Sequence, residues 1–508
     1  MRVYNVNKAV GLASSGVEYA QRYRREVFDG IAWVEDYYVF TDYISTNLAV
    51  FTARLGFAEA QVLWIYNLVT GRQTLPCTLS VDEFVSTVAQ PHTTEQTQPD
   101  CTDVVVTDSA VRYRVRTGEG QLVDRVETLV GDQLVRVDHY DETLNNVEHF
   151  HDNQLVRRVF YTPDGRVGAE QFYRNSEITR TLVTPASPLY DTSPSSFGGN
   201  IVLESRSQFF QLVFAHLFSR PDDVVVVDRA LDVIDGIYPV LGDHRLYSVV
   251  HAEHFDPRQA DDGVLLWNNH YENVFTRPDL VDGLIVSTCR QKQTLEGHLA
   301  SRGPGGEIRV VCIPAGVAKT PVASPQYDRL GLVTASRLAD EKHLDILVRA
   351  VAEAHKTLPG LHLDIYGEGN RDHLLATVRE TQAEDYVRLA GHRQLDGVLG
   401  SYGLYVSAST SEGFGLSVLE AIAEGLPVVG FDVDYGNKEM VTEGVNGRLV
   451  PHTCDERDVV EIAGAVVDVL TGGSLDDMRN HSVRKAQTYA AANVRTLWER
   501  LLAEEKTC

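Results

Sequence analysis

Residues 410–430 read T-S-E-G-F-G-L-S-V-L-E-A-I-A-E-G-L-P-V-V-G, and they decide how the rest of this 508-residue chain is to be read. Glu412 and Glu420 lie eight residues apart across a glycine-rich turn that runs into an apolar-faced helix starting near Leu416. Gly413 and Gly415 let the backbone turn sharply and approach a ligand closely, because no Cβ intervenes. The first turn of the helix offers unpaired N–H groups and a partial positive charge to an anion. One carboxylate is expected at the turn and the other about two turns into the helix, placed to accept from separate hydroxyls of one ligand. An anion cradle between two hydroxyl acceptors suits a nucleotide-sugar. The plainer alternative is a structural glycine turn with solvated acids, so the surrounding residues must decide.

Upstream and downstream of this stretch, apolar runs at Leu330–Ala335, Leu361–Tyr366, Val387–Leu389, Leu404–Ser407 and Pro427–Phe431 alternate with helical stretches. That is the pattern of a parallel sheet covered on both faces. Directly after the first run, T-A-S-R-L-A-D-E-K-H places Arg337 five residues before Lys342 on one strand-to-helix loop. Fixed cations there can stabilise a departing pyrophosphate, the work a divalent metal does elsewhere. The turn Ile365-Tyr366-Gly367-Glu368-Gly369 reads as structural. Asp432-Val433-Asp434 has the D-x-D spacing of metal sites in another fold, but it follows a strand twelve residues beyond Glu420 and is read as a loop. No metal is assigned, and with Arg337 and Lys342 present none is required.

The N-terminal half has the same style. Val3–Val6 and Val62–Tyr66 read as strands and Val17–Phe28 as a helix, preceded by the loop Ser14-Ser15-Gly16-Val17-Glu18-Tyr19. Val224–Val227 ends at Asp228, and Tyr247–Val250 runs into His251-Ala252-Glu253-His254; Leu284–Ser287 and Ile308–Ile313 follow. Between them, from about Val104 to Val183, apolar and polar residues alternate between turn signals. G-Q-L-V-D-R-V-E from Gly120, D-Q-L-V-R-V-D-H-Y from Asp132, N-Q-L-V-R-R-V-F-Y from Asn153 and G-R-V-G-A-E-Q-F-Y from Gly165 each feed a period-two strand from a turn. This is an antiparallel meander inserted in an α/β domain, with one face left for a partner or substrate.

The charge is −25, from 46 basic and 71 acidic side chains, a field that disfavours general nucleic-acid binding. The six cysteines are scattered without C-x-x-C or metal-ligand spacing, as in a reducing cytosol. The opening M-R-V-Y-N-V-N-K lacks an apolar signal core, and no apolar run reaches eighteen residues, so a cytoplasmic protein is expected.

The E-x7-E pattern with G-F-G-L inside it, together with Arg337 and Lys342, resembles the signature of retaining glycosyltransferases of the GT-B fold, family four. The resemblance extends over nearly the whole chain. Y-N-V-N, A-S-S-G-V-E-Y-A, V-V-H-A-E-H, L-L-W-N-N-H-Y, S-T-C-R-Q and the meander are similar to the accessory Sec glycosyltransferases, which attach N-acetylglucosamine to serine-rich repeat adhesins before export. The fold implied is α/β: two Rossmann-like domains facing across a cleft. Residues 1–78 and 200–320 would form the first, 79–199 the inserted sheet for acceptor and partner, 321–490 the nucleotide-sugar domain, and 491–508 a closing helix.

The resemblance also implies roles. Arg337 and Lys342 would clamp the pyrophosphate, Glu420 would take the ribose hydroxyls bidentately, and Glu412 hydroxyls of the transferred sugar. Gly413, Phe414, Gly415 and Leu416 would line the sugar and β-phosphate. Gly391-His392 would read the uracil edge, Gly16, Val17, Glu18 and Tyr19 would approach the diphosphate or the sugar from the opposite loop, and His251 would contact the donor sugar, supported by His254. The donor implied is UDP-N-acetylglucosamine or UDP-glucose. The implied partners are a serine-rich repeat acceptor and a GtfB-like companion subunit, giving a hetero-oligomer, with peripheral membrane association and no nucleic acid. Two alternatives stay open: a wall teichoic acid α-N-acetylglucosaminyltransferase, whose cleft would be nearly identical, and a non-catalytic glycan-binding subunit that stabilises an enzyme. Retention of Arg337, Lys342, Glu412 and Glu420 argues against the latter.

Overall fold

The computed structural model describes residues 1–11, 16–192, 199–256, 265–301, 308–319 and 326–504. Ser14 and Ser15 of the glycine loop lie outside the described residues. The chain divides into two compact units, Met1–Ser14 with Trp33–Ser248 and Ser15–Ala32 with Val249–Cys508. Among the described residues no helix is long and apolar enough to cross a membrane.

In the first unit the strands Val62–Trp64, Glu35–Phe40, Arg2–Asn7, Val224–Val227 and Arg245–Val250 lie side by side, all parallel. The run Val224–Val227 is buried at every residue, as a strand covered on both faces requires. The expected strand Val62–Tyr66 is shorter: it ends at Trp64, and Ile65–Leu68 closes into a helical turn. A five-residue apolar run does not distinguish strand from helix by itself. Here Asn67, inside the turn, ties it to the following segment by donating to the Gln73 carbonyl and Thr74 Oγ1.

The meander forms a ten-stranded antiparallel sheet in sequence order, from His92–Gln98 to Ile201–Leu203. It begins earlier and ends later than the alternation Val104–Val183 suggests. Asp152 and Asn153 both have positive φ, the two-residue hairpin geometry that suits right-twisted strands. Val104, Val126, Val159 and Val183 point inward, whereas Val105, Val130, Val156 and Val202 are exposed. Helix Val81–Thr87, started by a Ser80–Glu83 capping box, packs Phe84 on Val104, Val115, Val123 and Val126. Buried Arg72 joins the sheet to the parallel strands. It pairs with Asp141 at 2.7 Å and donates to the carbonyls of Leu144, Tyr161 and Thr162.

The second unit carries a six-stranded parallel sheet in the order Val387–Gly391, His362–Tyr366, Asp328–Ala335, Tyr402–Ser407, Val428–Phe431, Gly447–Val450. Numbered along the chain this is 3-2-1-4-5-6, the doubly wound arrangement of dinucleotide-binding sheets. Leu344–Thr357 and Arg457–Thr471 bury Leu347, Val351, Ile462 and Val466 in one core. Leu416–Ala423 buries Val418, Leu419 and Ile422 in the other. The same unit holds the parallel pair Gly283–Val286 and Val310–Cys312. It also includes helix Gly16–Phe28, seated on the last helix, Ala491–Ala503, by an edge-on contact of Phe28 with Trp498 at 5.1 Å.

Candidate functional site

In a doubly wound sheet the strand order reverses between the first and fourth strands, and ligands bind beyond the carboxyl ends at that point. Here those ends are Ala335 and Ser407, so the loops that follow them carry Arg337-to-Lys342 and Glu412. Tyr405 ties the two together: its hydroxyl lies 3.2 Å from the Ala335 carbonyl and 2.9 Å from Ser417 Oγ on the helix beyond.

Lys342 closes a short helical turn, Asp340–Lys342, before His343 enters the left-handed region and Leu344–Thr357 begins. Its ammonium donates to Glu412 Oε1 at 2.6 Å, and the pair is 14% and 18% exposed. The turn Gly367-Glu368-Gly369 braces this loop through Leu338 N to the Glu368 carbonyl and Asn370 N to the Leu338 carbonyl. A Cβ on Gly367 would sit 1.8 Å from the Ser336 carbonyl oxygen, so glycine is required by the close backbone approach. Arg337 behaves differently. It is 58% exposed and pairs with Glu341 at 2.8 Å, and no contact brings it to Lys342 or Glu412. The shared loop does not gather both cations.

The Glu412 carbonyl accepts from Tyr435 N at 2.9 Å and Gly436 N at 3.1 Å, which fixes the turn from behind. A Cβ on Gly413 would meet the His251 carbonyl oxygen at 2.0 Å. Gly415, at φ +83, starts helix Leu416–Ala423, and Phe414 is buried. Glu420 stands one turn into that helix, not two, because the helix begins only at Leu416. Tyr23 OH donates to Glu420 Oε1 at 2.7 Å. Burial raises the Glu420 pKa, and the Tyr23 hydroxyl opposes that rise. Burial, reinforced by the Glu420 charge, also raises the Tyr19 pKa.

His251 follows its strand as expected, with Tyr271 OH accepting from both His251 N and Ala252 N at 3.1 Å. His251 lines a small cavity with Tyr23, Ser287, Ala315, Gly316 and Trp498. A Cβ on Gly316 would press on Leu416 at 2.6 Å, so this cavity adjoins the glycine-rich helix start. His254 is fully buried, 3.0 Å from His298 Nδ1, and burial pushes its pKa down to about 3. That environment suits a neutral packing histidine.

The structure therefore gathers Lys342, Glu412, Gly413, Phe414, Gly415, Leu416, Glu420 and His251 around one helix start. Of the first-helix residues, Gly16 is exposed, Val17 and Tyr19 half-buried, and Glu18 buried. Gly391, at φ +74, accepts from Gly367 N beside the exposed His392. Asp432 and Asp434 face Lys438 and Arg290, and among the described residues no group of three His, Cys, Asp or Glu could hold a metal ion. Sequence reasoning missed Tyr23, Tyr271 and Tyr435. For Tyr23 a signal existed, since Tyr19 and Tyr23 stand one turn apart on the helix after the glycine loop.

Residues 329–472 match the family described as glycosyl transferases group 1, and residues 94–181 match the GtfA extended beta-sheet domain. The UDP-N-acetylglucosamine–peptide N-acetylglucosaminyltransferase GtfA subunit of Streptococcus gordonii is 33% identical over 519 residues, covering 99% of both chains. The chain belongs to the GtfA family. Its fold is that of the solved GtfA structures. It is similar to the pneumococcal O-GlcNAc transferase GtfA in complex with UDP and GlcNAc, at TM-score 0.91 and 33% identity over 99% of this chain and 98% of that one. It is similar to the GtfA/B complex structure at TM-score 0.85 and 32% identity, over 99% of each. By contrast, the poly(ribitol-phosphate) α-N-acetylglucosaminyltransferase of Staphylococcus aureus is 26% identical over only 40% of this chain and 40% of its own. The teichoic acid alternative is a distant relationship, and membership of the GtfA family is not.

Proposed function

We propose that this chain is a retaining transferase that moves N-acetylglucosamine from UDP-N-acetylglucosamine to Ser and Thr hydroxyls of a serine-rich repeat protein. The observation that carries the reading is the Lys342–Glu412 pair at the switch point, next to the start of the helix that carries Glu420 one turn in. Full-length similarity to peptide N-acetylglucosaminyltransferases supports the donor and the acceptor class. In this reading Glu420 accepts from the ribose, Glu412 from the sugar hydroxyls, and Lys342 with the helix start at Leu416 stabilises the departing β-phosphate. The new bond joins the acceptor oxygen to the anomeric carbon as the bond to UDP breaks on the same face. The acceptor proton passes to the leaving phosphate oxygen. Both glutamates bind hydroxyls, unlike the acid and nucleophile of glycosidases.

Arg337 joins the clamp by exchanging Glu341 for phosphate. An exposed i,i+4 pair is worth only about 0.3–0.5 kcal/mol, so the exchange is cheap. His251 contacts the donor sugar from the cavity wall, Gly391 and His392 the base, and Gly16, Val17, Glu18 and Tyr19 the diphosphate. The ten-stranded sheet engages the acceptor and a GtfB-like companion, a proposal supported by the GtfA/B assembly of a relative. The test is UDP release and product mass with UDP-N-acetylglucosamine or UDP-glucose, offered a serine-rich peptide or poly(ribitol phosphate), with and without the companion. A HexNAc increment on the peptide is expected. Transfer to poly(ribitol phosphate) alone, or no turnover with any acceptor, overturns the proposal.

A further inference from the structure

The donor reading leaves one buried polar contact unused. Tyr23 is 4% exposed, lies 397 positions from Glu420 in the chain, and places its hydroxyl 2.7 Å from Glu420 Oε1. An ionised carboxylate only accepts, so the tyrosine is the donor. The tyrosine is itself held. Its helix is fixed by Phe28 against Trp498, and Arg24 lies 5.2 Å over the same indole ring. Tyr23 lines the cavity that His251 also lines.

We infer that Tyr23 is a positioning residue for the donor nucleotide: it fixes the Glu420 carboxylate in the orientation that accepts the ribose hydroxyls. The inference rests on the proposed role of Glu420 and deepens it. A glutamate on a helix surface otherwise samples several rotamers, and binding would have to suppress that freedom. Held by Tyr23, the carboxylate presents Oε2 and the second lone pair of Oε1 in advance, so less order is lost when the nucleotide arrives. The expected bidentate grip of the ribose therefore has a third member from the first helix. The groups facing Glu420 are Tyr19, Arg22 and Tyr23 on that helix, with Lys319 and Asp396 opposite. Of these, Tyr23 alone is hydrogen-bonded to it.

The test compares UDP affinity by calorimetry and donor kinetics in the full chain for wild type, Tyr23→Phe, Glu420→Gln and the double variant. Tyr23→Phe is expected to weaken UDP and raise donor KM about tenfold, a charge-assisted hydrogen bond lost. With that, kcat should stay within about threefold and the melting temperature should hold. The acid limb of the affinity profile should move to higher pH, because the hydroxyl that lowers the Glu420 pKa is gone. Preference for UDP over 2′-deoxy-UDP should shrink. Adding Tyr23→Phe to Glu420→Gln should cost little more, since the partner has already changed. Equal losses in both backgrounds, or a lowered melting temperature with kcat and affinity falling together, would mean a packing role and overturn the inference. So would unchanged UDP affinity in Tyr23→Phe while Glu420→Gln weakens it. If Glu420→Gln itself leaves UDP binding intact, the ribose role of Glu420 falls as well, and the two failures are told apart.

Discussion

Gly413 and Gly415 stand two residues apart in one turn, yet the structure asks different things of them. At Gly413 an added Cβ would lie 2.0 Å from the His251 carbonyl oxygen, against the 3.0 Å below which real Cβ contacts essentially never fall. Either the turn or the His251 strand end must move by at least the difference, 3.0 − 2.0 = 1.0 Å. A displacement of that size at a catalytic group costs about a hundredfold in rate, and overpacking costs about 1–3 kcal/mol of stability. At Gly415 an added Cβ meets only Val418, at 3.6 Å, an ordinary contact. The penalty there comes from φ +83 and is about 1 kcal/mol. Gly413→Ala is therefore expected to lose about a hundredfold in kcat/KM for UDP-N-acetylglucosamine, and Gly415→Ala much less. Steady-state kinetics and thermal melts on the two variants measure this side by side. Near wild-type turnover in Gly413→Ala, or a larger loss in Gly415→Ala, would refute the reasoning that His251 and Glu412 are held in register through this contact.

Other consequences can be measured as directly. Lys342→Ala should lower kcat about a hundredfold or more, as for loss of an oxyanion donor, and wild-type turnover in Arg337→Ala would remove Arg337 from the clamp. Because the Arg337–Glu341 pair is exposed, Arg337→Ala should leave the melting temperature unchanged. His254 has its pKa lowered to about 3 by burial and by His298, so below the unfolded value of 6.5 the unfolded chain binds a proton that the folded chain refuses. Its contribution is complete above 6.5 and drains away as pH falls toward 3, by up to about 1.4 kcal/mol per pH unit. Urea titrations across that window should show a shallower slope in His254→Gln. Arg72→Met leaves Asp141 buried without its cationic partner and should destabilise the first unit by about 3–5 kcal/mol, while an unchanged urea midpoint would contradict the role of that pair.

Inner strands of the C-terminal sheet such as Tyr402–Ser407 and Val428–Phe431 were legible because each is a short run buried at every residue, a composition few other elements share. The edge strands Gly447–Val450, half-buried at Arg448 and Leu449, and His92–Gln98 were not. His92–Gln98 reads H-T-T-E-Q-T-Q with nearly every residue exposed, so no alternation marks it. Spacing placed Arg337 and Lys342 on one loop but could not choose their rotamers, and a single nearby carboxylate, Glu341, turned Arg337 outward. Contacts across hundreds of residues left little local trace. Tyr23 reaches Glu420 only because its helix packs with the C-terminal one. Cys289 and Cys312, scattered in sequence, stand 3.6 Å apart because each follows or ends one of two neighbouring parallel strands.

The most direct measurement is a crystal structure of the full chain soaked with UDP-N-acetylglucosamine. The expected result puts the ribose hydroxyls within hydrogen-bonding distance of Glu420, with the β-phosphate between Lys342 and the N–H groups at Leu416. A nucleotide bound elsewhere, or a ribose that leaves Glu420 with Tyr23 as its sole partner, would contradict the assignment of this helix start as the donor site.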